Sequence, residues 1–410
     1  VAIEGTQSDG HAYVRDALDR GASAVVVSSG RVAGFGDLGG KAALLASTDT
    51  RRALSILSAA FYGFPSSGMT VIGVTGTNGK TSITYMLESI LKSAGRTPGV
   101  IGTINYRWKG GLVPAPNTTP ESRDVQEIVR AMADDGVDAL VMEVSSHGLK
   151  LGRVDDVEFD AGVFTNLTRD HLDFHLTFED YFASKLRLFD LVGRSGKTRR
   201  AGIVNCDDEY GRTILSGKAS RFYPLFGFGL SDDADYRVDK SRIKNSIDGV
   251  SYRMDRPLPG AAIDLHLAGG FHVFNSLAAF AAAHAIGIAP GAITAGLSGL
   301  STVPGRFDRI RSGDGFGVVV DYAHTDDALA KLLQSARELS PRRIITVFGC
   351  GGNRDKTKRP LMGETASSLS DVVIVTSDNP RREEPGDIIG DILAGMKGAS
   401  YDVEDRKSVV

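Results

Sequence analysis

The stretch from Thr70 to Ala94 restricts the fold more than any other part of this 410-residue sequence. Thr70-Val71-Ile72-Gly73-Val74 is β-branched or small throughout, as expected of a strand buried on both faces. It runs directly into Thr75-Gly76-Thr77-Asn78-Gly79-Lys80-Thr81-Ser82. Beyond that, Ile83, Met86, Leu87, Ile90 and Leu91 fall on one helical face over Thr81 to Ala94. A strand, a glycine-rich turn and a helix in that order make a cradle for phosphate. Glycines let backbone N–H groups approach the anion, and the helix N-terminus adds partial positive charge. Lys80 reaches the outer phosphates, and the Thr81 hydroxyl suits magnesium. The spacing G-x-x-x-x-G-K-[ST] is not met literally, because Val74 stands at its first position and the nearest glycines are Gly73 and Gly76. The competing reading, a glycine-rich turn with an incidental lysine, is opposed by the strand before it and the helix after it.

The rest of the chain repeats the same rhythm. Val25–Val27, Leu140–Val144, Gly162–Thr165, Gly202–Val204, Val318–Val320, Ile344–Phe348 and Val372–Val375 read as buried strands between amphipathic stretches. That alternation predicts an α/β protein with mainly parallel sheets. The length exceeds one compact domain. Turn signals divide it into residues 1–68, ending at Pro65-Ser66-Ser67-Gly68, residues 69–302, and residues 303–410, opening at Val303-Pro304-Gly305. Gly227 through Asp235 reads as a solvated turn. Net charge is −3, with Lys and Arg dispersed, so neither a nucleic-acid groove nor a basic membrane-binding face is expected. Cys206 and Cys350 fit no zinc spacing and suit reduced thiols in the cytoplasm. The longest apolar run, Phe271 to Ile288, carries His272, Asn275, Ser276 and His284, and reads as a buried helix rather than a membrane span. The first residue is Val1, from which a missing N-terminal segment is expected.

Several polar residues stand at strand ends, where open parallel sheets bind ligands. Glu143 closes Leu140–Val144 and would offer magnesium a hard oxygen; the alternative is a solvated edge carboxylate. His171 follows Thr165-Asn166-Leu167-Thr168-Arg169-Asp170, and residue type alone leaves it either a ligand or a packing histidine. Lys185 reads first as an exposed helical lysine. Asn117-Thr118-Thr119-Pro120 is a polar turn rich in hydrogen-bonding groups, and Arg153 suits a carboxylate through its planar fork. Gly349-Cys350-Gly351-Gly352-Asn353-Arg354-Asp355, with Lys356 and Arg359, concentrates positive charge at a strand end. Asp378-Asn379-Pro380-Arg381 follows another.

Together these strings resemble the Mur ligases, with the folylpolyglutamate synthetases as more distant kin. Thr75–Thr81 is similar to their variant phosphate loop, and the resemblance extends over essentially the whole chain. It implies a three-domain architecture with a central P-loop ATPase-like parallel sheet and a Rossmann-like C-terminal domain. The N-terminal unit would bind the UDP substrate, the middle one ATP, and the last the amino acid. ATP would rest on Gly76, Thr77, Asn78, Gly79, Lys80, Thr81 and Ser82, with Asn275, Arg306 and Asp321 completing its site. Two magnesium ions would use Thr81, Glu143, His171 and Lys185, the last as a carbamate formed with carbon dioxide. Lys80, Glu143, His171 and Lys185 are the implied catalytic residues; His175 is given no such role. His324, in Asp321-Tyr322-Ala323-His324-Thr325, is left between nucleotide contact and hinge packing.

A UDP-N-acetylmuramoyl dipeptide would be held by Thr6, Gln7, Ser8, Asn117, Thr118, Thr119, Ser145 and Arg153. The incoming amino acid would be held by Arg354, Asp378, Asn379, Pro380 and Arg381. The DNPR string resembles the signature of relatives that add meso-diaminopimelate, whose distal carboxylate an arginine can pair with and whose lysine counterpart it would repel. The expectation is therefore an ATP-dependent, amide-forming cytoplasmic ligase of peptidoglycan synthesis. Three alternatives stay open: a lysine-adding relative, a folylpolyglutamate-type ligase, and a non-catalytic nucleotide-binding protein. Three departures qualify the match. Leu151 stands where relatives often carry Gln, Asp326 stands where Pro is usual, and no Gly-Lys-Gly-His-Glu segment is found, from which a missing C-terminal segment is expected.

Overall fold

The computed structural model describes residues 1–5, 8–36, 42–217, 222–311, 316–396 and 401–404. Among them, twelve strands form one large sheet in the middle of the chain. Seven neighbours are parallel, in the order Tyr236–Val238, Leu225–Gly229, Ala201–Asn205, Ala161–Phe164, Thr70–Thr75, Ala139–Glu143 and Pro98–Ile101. Antiparallel strands extend both edges, Asn105–Trp108 and Gly111–Pro114 on one side and Lys244–Ser246, Gly249–Arg256 and Ala262–Leu265 on the other.

Thr70–Thr75 lies in the interior of this sheet, and its period of two divides the core. Ile72 and Val74 face the helices Lys80–Ser93, Phe271–Ala285 and Pro290–Gly299. Val71 faces Ser122–Asp134 and Phe178–Arg194 on the other side. Gly73 is small for a packing reason: a Cβ there would lie 2.8 Å from the Phe159 ring. Both faces are thus covered, which is why the strand carries no polar alternation.

Phe271–Ala285 is almost wholly buried, as its apolar run predicts. No helix among the described residues is long and apolar enough to cross a membrane. Pro290–Gly299 presses against the phosphate-loop helix. Ser89 Oγ donates to the Gly296 carbonyl at 2.6 Å, and a Cβ on Gly296 would stand 2.4 Å from the Ile90 Cα.

Smaller units flank the central one. Ala24–Ser28 pairs in parallel with Ala43–Ser47 near the N-terminus. Toward the other end, Ile345–Phe348, Val372–Thr376 and Tyr401–Glu404 form a parallel three-stranded sheet packed by Asp326–Glu338, Lys358–Leu369 and Pro385–Leu393.

Three expectations need correction. The predicted buried strand Ile344–Phe348 is a strand over Ile345–Phe348, but Ile345 and Val347 are exposed. Val318–Val320 belongs to an antiparallel hairpin with Asp308–Arg311, and Val318 and Val320 are exposed rather than buried. Gly227 and Gly229 are not in a solvated turn but in the strand Leu225–Gly229. The acidic residues nearby serve as backbone acceptors: Asp235 takes the Gly227 N–H at 2.8 Å, and Asp207 takes that of Leu230 at 2.7 Å. Carboxylates that cap strand ends look like loop residues when read only by polarity.

The Gly296 contact makes a stability prediction. Gly296→Ala must push two helices apart and should destabilise the chain by about 2 kcal/mol, the range for overpacking. Urea unfolding of the variant measures this; an unchanged midpoint would mean the helices separate at no cost.

Candidate active site

The phosphate loop is threaded between neighbouring strand tips. Gly76 has φ +139°, and a Cβ there would fall 1.8 Å from Thr165 Oγ1. Gly79 has φ +91°, and its Cβ would fall 2.6 Å from Asn275 Oδ1. Only glycine satisfies both demands, open backbone angle and absent side chain. The N–H of Thr77 donates to Asn166 O at 2.9 Å, that of Asn78 to Asn166 Oδ1 at 3.0 Å, and Thr165 Oγ1 donates to Asn78 O at 2.6 Å. Thr77 Oγ1 also meets the Tyr181 hydroxyl at 3.1 Å.

Two lysines converge on one carbonyl. Lys80 Nζ donates to Gly76 O at 2.8 Å and Thr77 O at 2.9 Å, and Lys185 Nζ donates to the same Gly76 O at 2.8 Å. Lys185 is buried rather than exposed, with its ammonium 4.4 Å above the Tyr181 ring. Burial and then the charge of Lys80 hold its pKa well below the usual lysine value, against the pull of Asp170. Desolvation lowers Lys80 as well, while Glu143 and Asp170 oppose the shift.

Glu143 is 1% exposed. Its carboxylate accepts from Thr81 Oγ1 at 3.1 Å, Thr103 Oγ1 at 2.9 Å and the Thr103 N–H at 3.0 Å. Arg306 Nη2 donates to Thr81 Oγ1 at 3.2 Å. A carboxylate and hydroxyls at the tip of a phosphate loop are hard oxygen donors, the set magnesium takes. His171 has φ +55°, its ring is 42% exposed, and its Nε2 lies 3.2 Å from Asp170 Oδ2. Partial desolvation, with His147, Lys80 and Lys185 nearby, holds its pKa below the ordinary value. His175 is fully buried, with Nε2 2.9 Å from Ser146 Oγ and Nδ1 3.4 Å from Asp180, so it packs the fold.

The 117–120 turn adjoins this cluster. Thr118 Oγ1 lies 3.0 Å from Thr103 Oγ1, and Thr119 Oγ1 donates to Glu143 O at 3.0 Å and accepts from the Ser145 N–H at 2.9 Å. The Asn117 carbonyl accepts from the Tyr106 hydroxyl at 2.6 Å. Ser145 caps the helix Ser146–Lys150. Arg153 donates to Thr119 O at 3.0 Å and pairs with Glu121 at 2.7 Å. In the N-terminal unit Ser8 is exposed; Thr6 and Gln7 lie outside the described residues.

The last unit reaches the loop at two points, Arg306 on Thr81 and Asp327 Oδ2 on Asn78 Nδ2 at 3.2 Å. Asp321 spends its carboxylate on the N–H groups of Phe307 and Ala323, each at 2.7 Å, fixing the turn that carries Arg306. His324 contacts the Tyr322 carbonyl at 3.0 Å, while Lys358 donates to its own carbonyl. Arg354 and the 378–381 segment do not join the loop cluster through any described hydrogen bond. Asp378, Asn379 and Arg381 are exposed, and Arg381 Nη1 donates to Gly352 O at 3.1 Å.

Comparison with known proteins fits this geometry. Residues 74–283 match the Mur ligase middle domain, and residues 305–410 match the Mur ligase, glutamate ligase domain. The chain belongs to the Mur ligase family. It is 47% identical over 398 residues to a UDP-N-acetylmuramoyl-L-alanyl-D-glutamate–2,6-diaminopimelate ligase of Geobacter metallireducens, covering 97% of this chain and 76% of that relative. A relative of the same name from Clostridioides difficile is 43% identical over 414 residues, covering 100% and 82%. A solved structure bearing that ligase name aligns with TM-score 0.70 at 30% identity, over 98% of this chain and 80% of the other. A folylpolyglutamate synthase of Mycobacterium tuberculosis aligns with TM-score 0.71 over 87% of this chain and 86% of the other, but at 18% identity, a likeness of fold alone.

For this Mur ligase, residue reading missed Thr103, Tyr181 and His272. Thr103 follows a strand with no motif around it. Tyr181 touches the loop only through tertiary packing. His272, one helical turn before Asn275, is fully buried with both ring nitrogens lacking a described protein partner. Burial pushes its pKa down from 6.5 to about 3. The folded value lies below the unfolded one, so between these limits the unfolded chain binds more protons and stability rises with pH. His272→Leu should therefore raise the unfolding midpoint relative to the parent more at about pH 5 than at about pH 8. An equal gap at both would show that the imidazole is solvated or paired.

Proposed function

We propose that this Mur ligase joins meso-diaminopimelate to UDP-N-acetylmuramoyl-L-alanyl-D-glutamate, consuming ATP and releasing ADP and phosphate. The observation that carries the reading is the meeting of the phosphate loop with the buried Glu143 through the Thr81 hydroxyl, 3.1 Å away. Nucleotide phosphates and a divalent cation find their complements there. The amino acid is assigned from Arg381 and Arg354 on neighbouring loop tips, together with the name shared by relatives 40–47% identical to this chain.

The three units, 1–68, 69–302 and 303–410, take the UDP end of the acceptor, ATP, and the amino acid respectively. The terminal carboxylate of the acceptor attacks the γ-phosphate of ATP, giving an acyl phosphate and ADP. The neutral amine of diaminopimelate then attacks that carbonyl, and phosphate leaves from the tetrahedral intermediate. Little covalent work falls to the protein; positioning and charge stabilisation carry the reaction. Lys80 leaves its loop carbonyls for the β- and γ-phosphates, and Arg306 and Asn275 border the nucleotide. Thr81, Glu143, His171 and Lys185 would hold two magnesium ions, which would reduce the repulsion between the two anions that meet in the first step. Lys185, buried and with a depressed pKa, offers the neutral amine that carbon dioxide converts to a carbamate. Ser8, Thr118, Thr119, Ser145 and Arg153 face the acceptor. The two buried free thiols suit a reducing cytoplasm.

Lys80→Ala should cut ATP-dependent ligation by about 10³-fold or more, the scale of losing a main charge stabiliser. Near-normal product formation, followed by chromatography of the UDP-tripeptide, would count against the site. Arg381→Ala should chiefly raise KM for diaminopimelate and weaken its preference over lysine; an unchanged preference removes the specificity argument.

A further inference from the structure

The loops after Ile345–Phe348 and Val372–Thr376 lie side by side at the carboxyl end of the last sheet, and they are tied together at unusual density. Gly352 N–H donates to Asn379 O at 2.8 Å, and Arg382 N–H donates to Asn353 Oδ1 at 3.0 Å. Asn353 and Arg381 both adopt left-handed backbone, each with φ +52°. Such angles cost energy in non-glycine residues and persist only where neighbours over-determine them.

The neighbour that does so is Glu383. Its carboxylate takes Arg359 through a fork of two bonds, 3.0 and 3.1 Å, and it also takes Lys356 at 3.0 Å and the Asn353 N–H. Arg359 is 0% exposed, and the Nη1 that meets Glu383 also donates to Asp391 at 2.8 Å. These donors keep the Glu383 carboxyl low, at about 2, so it stays charged throughout the physiological range.

The result is a sorting of positive charge. Of the basic residues on these loops, Lys356 and Arg359 are neutralised by Glu383. Arg354 and Arg381 form no ion pair with a described carboxylate. Arg382, beside Arg381, likewise pairs with no described carboxylate, and Arg381 is itself aimed by its bond to Gly352 O at 3.1 Å, so the unneutralised charge of these loops lies on Arg354, Arg381 and Arg382.

We propose that Glu383 is a positioning residue for the amino-acid substrate. It fixes the backbone of both loops and withdraws Lys356 and Arg359, so that Arg354 and Arg381 are held in place for the substrate carboxylates. The inference rests on the diaminopimelate-ligase reading and deepens it. Glu383 does not touch the substrate; it acts through the Asn353 and Arg381 turns.

The test is steady-state kinetics of the full chain with Glu383→Gln, which keeps size and loses charge. KM for meso-diaminopimelate should rise about tenfold, the worth of one charge-assisted pair, with kcat within about threefold and KM for ATP unchanged. Preference for diaminopimelate over lysine should fall in parallel. Because Asp391 still holds Arg359, the variant should fold. Should it not, Asn353→Gly keeps the left-handed turn and removes the Arg382 acceptor, and the same selective rise in KM is expected. Unchanged kinetics, or equal losses in kcat and in every KM, would overturn the inference while leaving the parent reading intact. A parent chain that ligates no diaminopimelate would overturn both.

Discussion

A carboxylate at 1% exposure must find hydrogen-bond donors in place of water, and Glu143 meets that demand by drawing three segments together. Its side chain takes Thr81 from the phosphate-loop helix and Thr103 from beyond the strand Pro98–Ile101, while its backbone carbonyl takes Thr119 from the acceptor-side turn. The close fit extends to Gly102, where a Cβ would stand 2.6 Å from Glu143 Oε1. One buried carboxylate therefore joins the phosphate-loop helix, the segment after Pro98–Ile101 and the turn assigned to the acceptor.

Much of this was legible in the sequence because it is written at strand ends. A parallel sheet buried on both faces leaves continuous apolar runs, and Thr70–Thr75 and Ala139–Glu143 were visible for that reason. Once the sheet is granted, the residues just past each run cluster, which places Lys80 and Glu143 together; residue type leaves His171 open, and only the family resemblance names it a metal ligand. Periodicity failed where burial is one-sided or partial. The hairpin of Val318 and Val320 lies exposed yet uses the same β-branched residues as a core strand. Polarity failed at Asp207 and Asp235, whose carboxylates serve backbone amides.

The least legible residues act through partners distant in sequence. Thr103 and Glu143 are 40 positions apart, Thr77 and Tyr181 are 104 apart, and Arg359 and Glu383 are 24 apart. No period or motif encodes such pairs. Lys185 was read on first principles as a solvent-facing lysine and became a buried candidate only through family likeness. The structure buries it, and desolvation together with the nearby charge of Lys80 lowers its pKa.

The contacts that join the last unit to the phosphate loop carry a thermodynamic consequence. Arg306 rests on the Thr81 hydroxyl and Asp327 on the Asn78 amide, the very groups an entering nucleotide and its cation would claim. Occupant and tether compete for one set of atoms. Whatever free energy a ligand gives up in prying these contacts loose is, by reciprocity, the free energy by which the freed unit favours the ligand's stay. Were an occupant to break these contacts, the docking of one unit on another would report whether the cradle is full.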